Sequence, residues 1–172
     1  MGPEIFMDDF ERTEWSDSHY AVLGRALVIA ARFEKNVKTL SALMKDRYQF
    51  SFHSSDEEIN NFFDEISRTS LASHINTLGL NQTAYATIFK HAREARNAIA
   101  HELALGMDRN LDTLGKEFLD QLLSDVIRWT AEIAKGDAII CTLISLANKD
   151  SLPNRDFIEK YPDRVVKWVS EI

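Results

Sequence analysis

Two long stretches of this chain repeat apolar residues at steps of three and four, and no proline interrupts either of them. In 18–45 the repeat runs through Leu23, Ala26, Leu27, Ala30, Phe33, Val37, Leu40 and Met44. In 114–146 it runs through Leu114, Phe118, Leu122, Val126, Trp129 and Ile133, and on to Ile139, Leu143 and Leu146. This spacing gathers apolar side chains on one stripe of an α-helix and would scatter them over both faces of a strand. The three prolines are Pro3, Pro153 and Pro162. Most of the chain is therefore free of the residue that most effectively breaks a helix.

The shorter segments read the same way. Residues 48–53 lose the pattern and predict a loop. Ser55-Asp-Glu-Glu58 fits a capping box opening a helix through Ile59, Phe62, Phe63 and Ile66. Leu71, Ile75 and Leu78 predict another helix, closed by Gly79. Asn81 is a candidate cap for the next, whose apolar positions are Ile88, Ala92, Ala95, Ile99 and Leu103. That helix should end near Leu105-Gly106, with a loop through Asp108-Arg-Asn110. Gly136 is placed to bend the last long helix. No strand alternation, Asn-Gly hairpin or internal repeat is present. The expectation is one all-α domain over 1–172, an up-and-down bundle of about five to six helices. An acidic N-terminal arm would occupy 1–15. A C-terminal loop would occupy the start of 149–172, followed by a short helix after Pro162 that carries Val165, Trp168 and Val169 on one side.

Charge narrows the function. With 20 basic and 27 acidic residues the net charge is −7, which argues against a protein that coats nucleic acid through a broad basic surface. A local basic site remains open: within 81–101, Lys90, Arg93 and Arg96, with His91 and His101, face one acid, Glu94. The first 17 residues are the reverse, with Glu4, Asp8, Asp9, Glu11, Glu14 and Asp17 against Arg12. Such an arm is either a solvated face or a surface for a basic partner. The single cysteine, Cys141, excludes an internal disulfide, suits a reducing compartment, and reads as a core thiol. The acidic N-terminus is unlike a secretory leader. The longest apolar run, 138–147, contains Thr142 and Ser145 and falls short of the ~20 residues of a membrane span. A cytoplasmic protein without membrane contact is expected. His19, His53, His74, His91, His101 and Cys141 show no metal-ligand spacing, so neither metal nor cofactor is expected.

One constellation points to chemistry. Arg96-Asn97 is followed by His101 on the same predicted helix. Arginine presents a fixed fork of donors to phosphate oxygens. Histidine moves protons near neutral pH. Asparagine can orient either. Together they suit RNA cleavage, in which the ribose 2′-hydroxyl attacks its neighbouring phosphate while histidine transfers a proton and arginine stabilises developing charge. Asn97 and His101 share a helix face. Arg96 and His101, five apart, stand about 7.5 Å apart along an ideal helix axis and about 140° around it. The helix must loosen near His101, a substrate must span the two residues, or a second subunit must complete the site.

Arg96-Asn97-x-x-x-His101, late in a helix of an all-α chain of this length, resembles the Arg-x(4–6)-His motif of the HEPN superfamily, the higher eukaryotes and prokaryotes nucleotide-binding domains. Ala100-His101 is similar to the family's frequent Ala-His pair. The resemblance implies a helical bundle, a homodimer with two motifs facing across a cleft, and metal-independent endoribonuclease activity of the kind found in toxins and abortive-infection proteins. It implies catalytic roles for Arg96 and His101 and a supporting one for Asn97. One subgroup of the family carries a modifiable tyrosine two residues after the histidine; here that position is Leu103.

Other readings stand beside this one. The chain could be a non-catalytic acidic interaction protein, an immunity or antitoxin-like partner of a basic toxin. It could also be a phosphate or nucleotide sensor using the same residues without turnover. Arg93 reads as solvated or salt-bridged. Glu34, polar beside an apolar stripe, either reaches the motif helix or, as the favoured reading, is an i,i+4 surface partner of Lys38. His74 and His91 read as surface or boundary residues. Trp15, Trp129 and Trp168 read as core or interface anchors, too dispersed for a single-strand binding groove.

Overall fold

A computed structural model describes residues 14–49, 55–102 and 115–171. Among these residues it is an all-α bundle of six α-helices with no strand. They are α1 (Glu14–Gln49), α2 (Asp56–Arg68), α3 (Leu71–Thr77), α4 (Ala86–Asn97), α5 (Lys116–Asn148) and α6 (Arg155–Ser170). A short 3₁₀ turn, Leu80–Gln82, precedes α4, and a π-helical turn, Ala98–Glu102, extends it.

The two proline-free repeats form the two longest helices. At 36 residues α1 is about 54 Å long. It packs most extensively on α5, and α5 also receives α4 and α6. Leu23, Ala26, Ala30, Phe33, Val37 and Leu40 of α1 are buried against Val126, Ile133, Ala134 and Ile140 of α5 and Phe89, Ala92, Ala95 and Ile99 of the motif helix. Some apolar positions of the repeats lie outside this core: Leu27, Met44, Phe63, Phe118 and Leu146 are exposed, while Phe89 and Leu119 are buried one position away from Ile88 and Phe118.

The helix boundaries follow local chemistry. Ser55 and Glu58 form the reciprocal capping box, with the Ser55 amide donating to Glu58 Oε2 at 2.8 Å and the Glu58 amide donating to Ser55 Oγ at 3.3 Å. Gly79 follows α3 with φ of 68°, a left-handed conformation that glycine adopts without steric cost. Asn81 does not cap α4: it lies in the 3₁₀ turn, and α4 begins at Ala86 after Tyr85, with no side-chain cap. Tyr48 and Gln49 continue α1 rather than opening a loop, and Glu14 and Trp15 belong to α1 rather than to an arm. At the other end α6 starts at Arg155, well before Pro162, because Asn154 caps it by accepting from the Phe157 amide at 2.7 Å. Pro162 is thus inside a 16-residue helix, and the C-terminal helix is not short. The expected end of the motif helix near 105–106, the 108–110 loop, Leu103 and Leu114 lie outside the described residues, as do the side chain of Trp15 and most of the 1–15 arm.

Gly136 has a packing role. Helix α5 runs on through it, and a Cβ there would stand 2.8 Å from Ala92 Cβ and 3.1 Å from Phe33 Cε2. The missing side chain lets α5 approach α4 and α1 at the centre of the bundle. His74 is fully buried rather than at the surface. Its Nε2 donates to the Ile66 carbonyl at 3.0 Å, which leaves Nδ1 to accept from the Ser41 hydroxyl at 2.9 Å. That one side chain joins α1, α2 and α3.

A second buried polar centre joins α1, α5 and α6. Asp137, 1% exposed, accepts from Arg32 Nε at 3.1 Å, Asn36 Nδ2 at 2.7 Å and the Tyr161 hydroxyl at 2.5 Å. Burial, followed by the bond to Asp137, raises the Tyr161 pKa strongly. Cys141 stands beside this centre, half-buried, with Asn36 Nδ2 at 3.5 Å from its sulfur. Burial and then the Asp137 charge push its thiol pKa up. Arg25 Nε and Nη2 donate to the Val169 carbonyl at 3.1 and 3.0 Å, satisfying the last turn of α6.

Candidate functional site

The site is built on α4 and the turn that extends it. Phe89, Ala92 and Ala95 of α4, with Ala98 and Ile99, are buried, and they anchor the helix against α1 and α5. This leaves Arg96 and Asn97 on its flank, facing α1 and α2. The Arg96 side chain is largely buried, and Asn97 is exposed. Arg96 Nη1 donates to Asn97 Oδ1 at 3.1 Å, so the two neighbours act as one unit.

Immediately after Asn97 the backbone changes from α to π geometry, and His101 sits, exposed, inside that turn. A π-helix closes i→i+5 hydrogen bonds and therefore turns less per residue than the about 100° of an α-helix. The five-residue step from Arg96 to His101 thus leaves a smaller angular gap than the ideal-helix value. Of the three ways in which the spacing of Arg96 and His101 could be met, a loosened helix near His101 is the one that this turn provides for.

Glu34 makes both contacts offered for it: it pairs with Lys38, at 2.9 Å, and it also reaches the motif helix, pairing with Arg96 across the α1–α4 interface. Burial alone would raise the Glu34 pKa; the Lys38 hydrogen bond and the Arg96 charge outweigh it, and the carboxyl is held below its ordinary value. The Lys38 ammonium also donates to the Ser67 carbonyl at 2.9 Å, which ties the cluster to the end of α2. Arg93, one turn before Asn97, is half-exposed and 4.0 Å from Glu94. His91 lies on another face, 3.7 Å from Glu132 of α5, and takes no part in this cluster. Trp129 packs partly against the core, and Trp168 is exposed.

Two grooves open at the Arg96 side chain. One, of about 480 Å³, lies between α1, α2 and the π turn. The other, of about 350 Å³, lies among α1, the α2–α3 junction and α4. The sequence did not announce either groove, because Phe63, Ser67 and Arg68 come from a different helix from the motif. Among the described residues no group of three or more His, Cys, Asp or Glu side chains could hold a metal ion, and no helix is long and apolar enough to cross a membrane. Compared with protein-family models, curated proteins and solved structures, the chain finds no match in any of the three. The likeness to HEPN proteins accordingly rests on the motif residues and their helical setting.

Proposed function

We propose that the chain is a metal-independent endoribonuclease of the HEPN type, a cytoplasmic toxin or abortive-infection component acting as a homodimer. The observation that carries this reading is the π-helical turn Ala98–Glu102, which begins directly after Arg96-Asn97 and contains His101. A helix interruption of this kind is uncommon and often accompanies a functional site. Here it reduces the angle between the two side chains that phosphoryl transfer would need.

In the proposed reaction the 2′-hydroxyl loses its proton and its oxygen forms a bond to the adjacent phosphorus. The bond from phosphorus to the 5′-oxygen breaks, and that oxygen takes up a proton. The products are a 2′,3′-cyclic phosphate and a 5′-hydroxyl. His101 serves as general acid or base for one of the two proton movements. Arg96 stabilises the charge that develops on the phosphoryl oxygens. Asn97, bonded to Arg96, positions its guanidinium. The test is cleavage of RNA by purified protein in excess chelator, with His101→Ala as the control. Cyclic-phosphate products that disappear in His101→Ala support the reading, and intact RNA with folded wild-type protein removes its basis.

One observation favours a second reading. Arg96 is engaged by Glu34, as it would be if it served mainly to hold α4 on α1. The chain would then be a non-catalytic partner of a basic toxin, or a phosphate-binding sensor. Recovery of a basic protein at one-to-one stoichiometry from host extract, equal for wild type and His101→Ala, would favour the partner role.

A further inference from the structure

The two grooves at Arg96 differ in chemistry and share a wall. The larger is lined mostly by apolar side chains, among them Leu27, Ala30 and Ala42 of α1, Phe63 and Ile66 of α2, and Ala100 of the π turn. The smaller carries four cationic side chains, Lys38, Arg68, Arg93 and Arg96, against one carboxylate, Glu34. Glu34, Lys38, Ser67 and Arg96 line both.

The cationic groove stands out in a chain of net charge −7. Its one carboxylate is already shared between Lys38 and Arg96. The outer cations are held only at the surface, Arg68 by Asp64 at 3.3 Å and Arg93 by Glu94 at 4.0 Å. A local excess of positive charge with guanidinium forks suits a phosphate group. The apolar groove next to it suits a flat, weakly polar body. Phe63, 56% exposed, offers a ring there, and that ring is held edge-on by Phe62 at 5.4 Å between centroids. An aromatic side chain of this kind stacks on a nucleobase of any sequence. Each groove lies within the size range of small-ligand sites.

We propose that the two grooves form a subsite for one nucleotide, with the base beside Phe63 and the phosphate held by Lys38, Arg93 and Arg96. As a unit of an RNA strand that nucleotide flanks the bond to be cut, and this much rests on the ribonuclease reading. As a free nucleotide it would occupy the same atoms without turnover.

The test uses the full chain and titration calorimetry with adenosine 5′-monophosphate, adenosine, inorganic phosphate and a 2′-O-methyl RNA oligomer, which lacks the attacking hydroxyl. The nucleotide is expected to bind at least about tenfold more tightly than either adenosine or phosphate. Phe63→Ala should weaken nucleotide binding about tenfold and leave phosphate binding unchanged, since a stacked base contributes that much. Arg93→Ala should weaken both. Both substitutions are at solvent-accessible side chains, so each variant can be checked for an unchanged melting temperature. If the oligomer displaces the nucleotide and loses affinity in both variants, the RNA strand is the source. If the nucleotide shows the expected pattern but the oligomer is indifferent to both variants, the free nucleotide is the ligand. Nucleotide binding no tighter than phosphate, or unchanged in both variants, overturns the subsite. Because these readouts are binding alone, the absence of RNA cleavage would count against the ribonuclease reading and leave the subsite to be judged separately.

Discussion

Glu34 of α1 holds Arg96 of α4 in an ion pair across the interface between the two helices, and it holds Lys38 on its other side. Both Glu34 and Arg96 are about four-fifths buried in their side chains, at 20% and 22% exposure, so the pair is screened less than a surface contact. A carboxylate in this position orients the guanidinium and also competes with any phosphate that approaches it.

Replacing Glu34 by glutamine should therefore separate two effects. Stability should fall by about 1–2 kcal/mol at neutral pH, because charge-assisted bonds to two cations become neutral ones. The pH dependence has a definite sign. The folded-state pKa of Glu34 is depressed, so its contribution is complete above the unfolded value of about 4.3 and is lost as pH falls through the lower folded value. Urea unfolding from pH 7 down to pH 3 should show a steeper acid loss for wild type than for Glu34→Gln. Parallel curves would mean that the carboxylate is not coupled to folding.

Gly136 and Gly24 form an internal comparison. Alanine normally favours a helix over glycine by about 1 kcal/mol. At Gly24 nothing lies within 4 Å of the added Cβ, and Gly24→Ala should stabilise by up to about that amount. At Gly136 the added Cβ meets Ala92 Cβ at 2.8 Å, and neither backbone can retreat without separating α5 from α4. Gly136→Ala should destabilise by about 1–3 kcal/mol. Denaturant midpoints for the two variants should move in opposite directions; a stabilised Gly136→Ala protein would refute the close approach.

The Asp137 centre should be costly to break from one side. Removing the carboxylate in Asp137→Ala leaves Asn36 and Tyr161 without their shared acceptor, while Arg32, 52% exposed, can turn to water, and a loss of about 1–3 kcal/mol is expected. Tyr161→Phe removes one donor to a buried charge and should cost about 1.5–3 kcal/mol. Its phenol is raised well above the ordinary value of about 10, so stability should fall at alkaline pH as the unfolded chain ionises first. Melting curves between pH 7 and pH 11 should show that decline in wild type and a weaker one in Tyr161→Phe.

How far the sequence carried these conclusions depended on whether the cause was local. The two long helices, the Ser55–Glu58 box and the left-handed Gly79 are set by residues within one or two turns, and all were legible. Pro162 reads in sequence as a boundary, but α6 starts at Arg155, because Asn154 caps it there and neighbouring helices supply the packing that lets a proline lie inside it. His74 does not show its burial in sequence, because its partners, Ser41 and Ile66, come from other helices. The same holds for the motif. Arg96, Asn97 and His101 could be picked out by residue type and spacing, but the Glu34 contact and both grooves depend on how α1 and α2 pack against α4. A loosened helix is one of three ways in which the spacing of Arg96 and His101 can be met, and no residue in the π turn announces it.

That turn also allows catalysis and folding to be tested apart. His101 is exposed, so His101→Ala should change stability by no more than about 0.5 kcal/mol. If His101 moves a proton in RNA cleavage, the same substitution should lower the cleavage rate by about 10²–10⁴-fold. Arg96→Lys makes the complementary case. It keeps a positive charge near Glu34, and so retains much of the ion pair, but it removes the planar fork that matches phosphate oxygens. Its cleavage rate should fall at least about tenfold with little change in melting temperature, whereas Arg96→Ala should lower both. Rates measured on one RNA substrate in chelator, beside melting temperatures for all three variants, give the answer. Cleavage that survives His101→Ala while falling in Arg96→Ala only in step with stability would assign Arg96 to the α1–α4 interface and remove His101 from the chemistry.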